Sequence, residues 1–153
     1  MIKVKNILIL ISFILLTSCG YSPILNSEKI DFYFSEIKFE GNQQINNHIN
    51  NNLRKYRNYN EGKKNYKLNI VSDYQKKVAN KDKNGNPKNY NILLNVEVNY
   101  VSIDGEELKK IFRRNFSLET KKKKIDEKNI EKKKRKNLSQ LISEDIIFYL
   151  TSK

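Results

Sequence analysis

Apolar residues recur at every second position in four stretches of this chain and at helical spacing in two others. The first stretch, Asp31 to Glu40, places Tyr33, Ile37 and Phe39 on one face of a strand and Phe32 and Phe34 on the other. Gly41-Asn42 ends it. From Gln43 to Tyr59 the period changes, and Ile45, Ile49, Leu53 and Tyr56 form one stripe of an amphipathic helix. Its other faces are rich in Asn, a poor helix former, so this helix is expected to need a sheet beneath it. Alternation returns in a second strand, Asn65 to Val78, through Tyr66, Leu68 and Ile70, before the polar run Tyr74 to Lys77. Asn80 to Lys88 is a turn, because Asn84-Gly85 supplies positive φ and Asn86-Pro87 breaks pairing.

The third strand, Asn89 to Ile103, has the cleanest pattern. Tyr90, Ile92, Leu94, Val96, Val98 and Tyr100 alternate with Asn91, Asn95, Glu97 and Asn99, which predicts an antiparallel strand with one wet face. Asp104-Gly105 is a hairpin signal. The fourth strand, Glu106 to Thr120, alternates through Leu108, Phe112, Phe116 and Leu118. A second helix is expected from near Ile125-Asp126 to about Leu150, with Asp126 as N-cap or first-turn acid. Leu138, Leu141, Ile142, Asp145 and Tyr149 follow the helical spacing, with Ile146 and Leu150 flanking. Its first half is nearly all charged and is expected to project from the body or fray. The fold class is therefore α+β, a two-layer sandwich in the order β-α-β-β-β-α. A four-stranded mixed sheet is covered on one face by two helices, and the first strand pairs in parallel through a crossover.

The first nineteen residues carry a different message. Lys3 and Lys5 precede an apolar stretch, Ile7 to Ile11 and Phe13 to Leu16, that stops at Leu16-Thr17-Ser18-Cys19. A basic head, an apolar core of roughly ten residues and small residues at a cut site describe a secretory signal. The run is short of the about 20 residues that a membrane span needs. Leu-Thr-Ser-Cys resembles the bacterial lipobox, in which the Cys thiol receives lipid and the peptide is cut just before it. The expected division is a signal peptide at 1–18, a lipidated tether at 19–30 and a single α+β domain at 31–153. Gly20 stands where an Asp retains lipoproteins in the inner membrane of enteric-type bacteria, so the outer membrane is the expected destination.

Composition adds two constraints. Cys19 is the single Cys of the chain, so stability must come from packing without disulfides. The net charge is +13 and falls by two when Lys3 and Lys5 are removed. Lys, Asn, Ile and Tyr all have AT-rich codons, so codon bias accounts for this charge as readily as an anionic partner does. If a partner selects it, an exported chain would meet anionic headgroups or lipopolysaccharide phosphates rather than nucleic acid. Lys81, Lys83 and Lys88 cluster at the first hairpin and are the candidates for such contact, set against the plain reading of a solvated turn. Arg113 and Arg114 alternate in a strand and point to opposite faces.

Catalytic chemistry finds little to work with. His48 is the only His and lies beside Asn residues in a helix. There is no metal-ligand spacing, phosphate loop or nucleophile elbow. Glu106-Glu107 and Glu144-Asp145 are adjacent in sequence and read as exposed pairs. The chain reads as non-enzymatic, with no cofactor beyond covalent lipid on Cys19.

Cys19-Gly20-Tyr21-Ser22-Pro23-Ile24, followed by this element order in about 150 residues, resembles the lipopolysaccharide-assembly lipoprotein family (LptE). The resemblance implies a palmitate-bearing outer-membrane lipoprotein on the periplasmic side. It would plug and help assemble a β-barrel translocon, and bind lipopolysaccharide. Lys123-Lys124 and Lys132 to Lys136 depart from the Ala-rich final helix usual in that family. Two other readings remain. A generic envelope lipoprotein would bind peptidoglycan or another component, and a cytosolic RNA-binding domain would want basic residues around exposed sheet aromatics, which Tyr33 and Phe34 lack.

Overall fold

The computed structural model describes residues 30–57, 64–102 and 104–152. The leader, Cys19 and the tether up to residue 29 lie outside the described residues. Strand β1 spans Phe32–Gly41, helix α1 Gln43–Leu53, β2 Lys64–Lys81, β3 Pro87–Ser102, β4 Glu107–Glu119 and helix α2 Lys124–Thr151. The sheet has four strands in the order β1-β2-β3-β4. β1 runs parallel to β2, and the other two pairings are antiparallel. This is the α+β arrangement expected from the pattern. α1 returns the chain, so β1 can enter β2 in parallel.

The first strand corrects the sequence reading. Phe32 and Phe34 do not oppose Ile37 and Phe39. Phe34 pairs with Tyr66, yet Glu36 pairs with Lys67, so Ser35 is an extra residue in a β-bulge. One extra residue inverts the alternation that follows it. Phe32, Phe34, Ile37 and Phe39 consequently stand in register with Lys64, Tyr66, Leu68 and Ile70 on a single face. Phe34 is fully buried, and Ile37 and Phe39 pack against the same core. The Ser35 N–H, freed from the ladder, donates to Asn65 Oδ1 at 3.3 Å.

Both helices cover that face. Ile45, Ile49 and Leu53 of α1 and Ile142, Ile146 and Leu150 of α2 enter the same core as Ile70, Leu94 and Val98 of the sheet. α1 forms despite its Asn content because Asn42 caps it, its Oδ1 accepting from the N–H groups of Gln44 and Ile45. The helix ends at Leu53, earlier than Tyr59, and one 3-10 turn, Arg54–Tyr56, carries Tyr56 into the core. In α2 the apolar stripe is rotated from the expected one. Ile142, Ile146, Ile147 and Leu150 are buried, whereas Leu141 stands out in solvent. Asp126 is a first-turn acid, and Lys123 occupies the N-cap position without a side-chain bond.

The turn from β1 into α1 docks tightly on β2. Gly41 has φ +88°, and a Cβ there would lie 1.9 Å from the Ser72 carbonyl oxygen. The N–H of Asn42 donates to that oxygen at 3.0 Å. Ser72 Oγ donates to Asn46 Oδ1 at 2.6 Å, and Asn46 Nδ2 donates to the Glu40 carbonyl at 3.0 Å. Two buried polar residues are thereby satisfied, as burial demands. Gly85 also has positive φ, but no atom lies within 4 Å of the position its Cβ would take. Gly41→Ala is therefore expected to cost at least about 3 kcal/mol in urea unfolding, and Gly85→Ala about 1 kcal/mol. Equal losses at the two sites would mean that backbone conformation alone, without the Ser72 contact, sets the requirement at Gly41.

Candidate functional site

The hairpin joining β2 and β3 is longer than its apolar pattern suggests. Pairing continues through the polar run to Lys81, opposite Pro87. At its tip the Asp82 N–H donates to the Asn86 carbonyl, and the Gly85 N–H donates to the Asp82 carbonyl. Asp82 Oδ1 accepts from the N–H groups of Asn84 and Asn86, each at 2.8 Å. These bonds, the one from the Asn86 backbone foremost, hold the Asp82 carboxyl below its ordinary range. The one acid of the turn is thus committed to shaping it.

Tertiary structure adds cations that lie far away in sequence. The Thr120 N–H and Oγ1 both donate to the Lys88 carbonyl at 3.0 Å. That clamp sets the run Lys121 to Lys124 beside Lys81, Lys83 and Lys88 at one end of the sheet. All seven lysines are exposed. Lys121 pairs with Glu119 at 3.1 Å and Lys124 with Glu127 at 2.9 Å. Among the described residues, Lys81, Lys83, Lys88, Lys122 and Lys123 make no ion pair. Five uncompensated ammonium groups repel one another in the free protein, and an anion with several negative oxygens relieves that repulsion while accepting charge-assisted bonds.

What holds this loop in place is the charged first half of α2, which neither projects nor frays. Glu127, with a side chain only 7% exposed, accepts from Lys124 and from the Lys121 N–H and faces Lys76 at 3.6 Å. Glu131 accepts from Lys76 at 2.7 Å and from the Tyr74 hydroxyl. Arg135 lies over the Tyr74 ring and 3.7 Å from Glu131, and Lys76 lies over the Tyr90 ring. The hydrogen bond from Lys124 holds the Glu127 carboxyl below the usual carboxylate range, against the cost of burial. Burial also opposes ionisation of Glu131, but the bonds from Lys76 and Tyr74 outweigh it and lower its pKa. Burial and then the bond to Glu131 raise the Tyr74 phenol.

The remaining side chains singled out from the sequence fall elsewhere. Arg114 reaches the helix layer and pairs with Asp145, while Arg113 stands opposite Asn95 on the uncovered face, so the two do point apart. Glu144 accepts from Gln140, and Glu107 is exposed opposite Val101. His48 lies on α1 near Lys132, Arg135 and Lys136. Burial first, and then those charges, lower its pKa and so disfavour the protonated ring. Among the described residues no group of three or more His, Cys, Asp or Glu is placed to hold a metal ion, and no helix is long and apolar enough to cross a membrane. The uncovered face of the sheet carries Asn69, Asn91, Asn95, Asn99 and Asn115, of which Asn69 and Asn99 stand in register, together with the apolar Val71, Leu93 and Ile111.

No family model matches the chain, and no curated protein matches it in sequence. Solved structures do match its fold. The crystal structure of rare lipoprotein B from Shewanella oneidensis superposes with a TM-score of 0.52 at 12% identity, over 76% of this chain and 94% of that one. The solution structure of an uncharacterized lipoprotein B from Nitrosomonas europaea gives 0.57 at 12% identity, over 80% and 86%. The chain has the fold of these bacterial lipoproteins. In this lipoprotein fold the cationic end is assembled from two segments over thirty residues apart. The hairpin lysines were visible in sequence because they flank a Gly-Pro turn. Lys122 and Lys123 are legible only as a charge run, since the clamp from Thr120 closes on the backbone carbonyl of Lys88, which leaves no sequence signature.

Glu127 and Glu131 both have folded pKa values below the ordinary 4.5. The unfolded chain therefore binds protons more readily there, and their stabilisation is complete above about pH 4.5 and lost as pH falls below it. Glu127→Gln with Glu131→Gln should lower stability at pH 7 by on the order of 1–2 kcal/mol, given that the lysine partners are partly exposed. The urea midpoint of the double variant should also fall less steeply than that of the native chain below pH 4.5. Parallel profiles would show that these two acids do not anchor α2.

Proposed function

We propose that this chain is an outer-membrane lipoprotein, acylated on Cys19, that plugs a β-barrel translocon and assists lipopolysaccharide insertion. The observation that carries the reading is a lipobox-like Cys19-Gly20-Tyr21-Ser22-Pro23-Ile24 on a chain whose folded part matches bacterial lipoproteins over most of their length. Two features of the folded part support the finer reading. The uncovered sheet face is dense in Asn, which suits the polar lumen of a large barrel. The unpaired lysines at the sheet end suit the phosphates of lipid A and the inner core. No step of bond making is assigned to the protein. It would act by binding and by shape, filling the barrel lumen and receiving the anionic head of the lipid.

The test is to express the tagged full-length chain in its own or a related host and isolate outer membranes in mild detergent. Expected are a near-stoichiometric large β-barrel and a Cys19 acylated by mass spectrometry. An acylated protein with no barrel would support the alternative of an envelope lipoprotein with a different component as partner. An unprocessed chain would remove both. For the lysines, Lys81→Gln, Lys83→Gln and Lys88→Gln together should weaken lipopolysaccharide binding roughly tenfold at low salt and flatten its salt dependence. Adding Lys122→Gln and Lys123→Gln should weaken it further. Unchanged binding in the five-site variant would make this end of the sheet a solvated turn.

A further inference from the structure

α2 is apolar on two sides. One side is the core stripe of Ile142, Ile146 and Leu150. The other is outward: Ile130 is 38% exposed, Leu141 45% and Phe148 62%. These three are eleven and seven residues apart, close to three and two whole turns of about 3.6 residues, so they line up along one edge of the helix. The row is about 27 Å long at 1.5 Å per residue. Lys133 and Lys134 stand exposed beside its first half. Glu144 is the acid within the row, and Gln140 donates to it at 3.0 Å.

We propose that, in the acylated protein before it is seated in a barrel lumen, this outward row of α2 is a docking surface for an anionic lipid bilayer. A helix that lies in a membrane interface presents apolar side chains with lysines alongside, and its binding is the sum of buried apolar area and attraction to acidic headgroups. Charge argues for that occupant over a second copy of the chain, because two strongly basic copies repel one another whereas an anionic surface attracts each. Position argues for it as well. Tyr149 packs on Tyr100, whose strand end lies toward the start of β2 and so toward Ile30, where the chain enters the domain. Ten residues separate Cys19 from Ile30, a reach of at most about 40 Å. This last point rests on the lipoprotein reading, whereas the helix geometry does not. A lipid at Cys19 would hold the Phe148 end of α2 close to the bilayer, and the row would then set the orientation of the domain on it.

The chain contains no Trp, so Phe148→Trp supplies a single reporter at an exposed position. The full acylated chain carrying it is reconstituted in phosphatidylglycerol–phosphatidylethanolamine vesicles containing brominated lipid, and in pure phosphatidylcholine vesicles with the same quencher. Expected is a blue-shifted, strongly quenched emission in the anionic vesicles and a weaker effect in phosphatidylcholine. Lys133→Gln with Lys134→Gln should remove most of the quenching. Ile111→Trp, on the uncovered sheet face, should remain unquenched. A Phe148→Trp spectrum unchanged by anionic vesicles would overturn the proposal, as would equal quenching of both reporters. So would a blue shift without lipid that grows with protein concentration, which would assign the row to a second copy. Mass spectrometry of the same preparation reports acylation separately. If Cys19 carries no lipid, the lipoprotein reading fails, and quenching of the unacylated chain by the same vesicles still decides the docking of α2.

Discussion

One inserted residue decides which side chains of the first strand reach the core. Without the bulge at Ser35, the alternation of β1 would send Phe32 and Phe34 to one side of the sheet and Ile37 and Phe39 to the other. Burying a large apolar side chain is worth about 1.5–3 kcal/mol, so leaving two of the four on the wet face would forfeit a large share of a typical domain's net stability. The bulge puts all four on the helix side. That in turn lets α1 close over β1 and β2, and it brings the end of the strand to Ser72, where the absence of a side chain at Gly41 permits the close crossing. The parallel entry of β1, the position of α1 and the single-faced core all follow from these two local features.

A second constraint is the length of the central hairpin. β2 has 18 residues and β3 has 16, whereas β1 has only 10 and stops at Ser72. The apolar core thins out beyond that point, and the helix above it is charged. A polar layer takes over there. Tyr74 and Lys76 rise from β2 to meet Glu127, Glu131 and Arg135 of α2, with Tyr90 beneath the Lys76 ammonium. Exposed ion pairs contribute only about 0–1 kcal/mol each. Here Glu127 is almost fully covered, and its bonds to Lys124 and the Lys121 N–H offset the cost of that burial. The network therefore positions as much as it stabilises: it fixes the first turn of α2 and with it the loop at Lys121 to Lys124.

Several unpaired ammonium groups at one end of a sheet are an unfavourable arrangement for the isolated protein. At physiological ionic strength the Debye length is about 8 Å, so neighbouring lysines still feel one another while those at opposite ends of the domain do not. Codon bias can raise the number of lysines along the whole chain, but it does not explain a clamp that gathers them. The bonds from the Thr120 N–H and hydroxyl to the Lys88 carbonyl gather these side chains, and with Asp82 committed to its own turn, five of them have no ion-pair partner among the described residues. The result is a local excess of positive charge at this end of a generally basic surface.

The periodicities of the chain by themselves determined the element order, the mixed sheet and most of the core. Alternation along Tyr90 to Tyr100 and the turn residues at Asn84-Gly85 and Asp104-Gly105 are local properties, and local sterics act the same way whatever surrounds them. The hairpin lysines were legible for the same reason. What only the tertiary structure decided depends on contacts between distant segments. The phase change at Ser35 needs the register against Asn65, because period-two logic assumes an unbroken ladder. The docking of the charged half of α2 needs Tyr74 and Lys76 beneath it, since charges read in isolation prefer water. The outward placement of Leu141 and Phe148 follows from the rotation of α2, which the larger buried set, Ile142, Ile146, Ile147 and Leu150, imposes on a helix apolar on two sides.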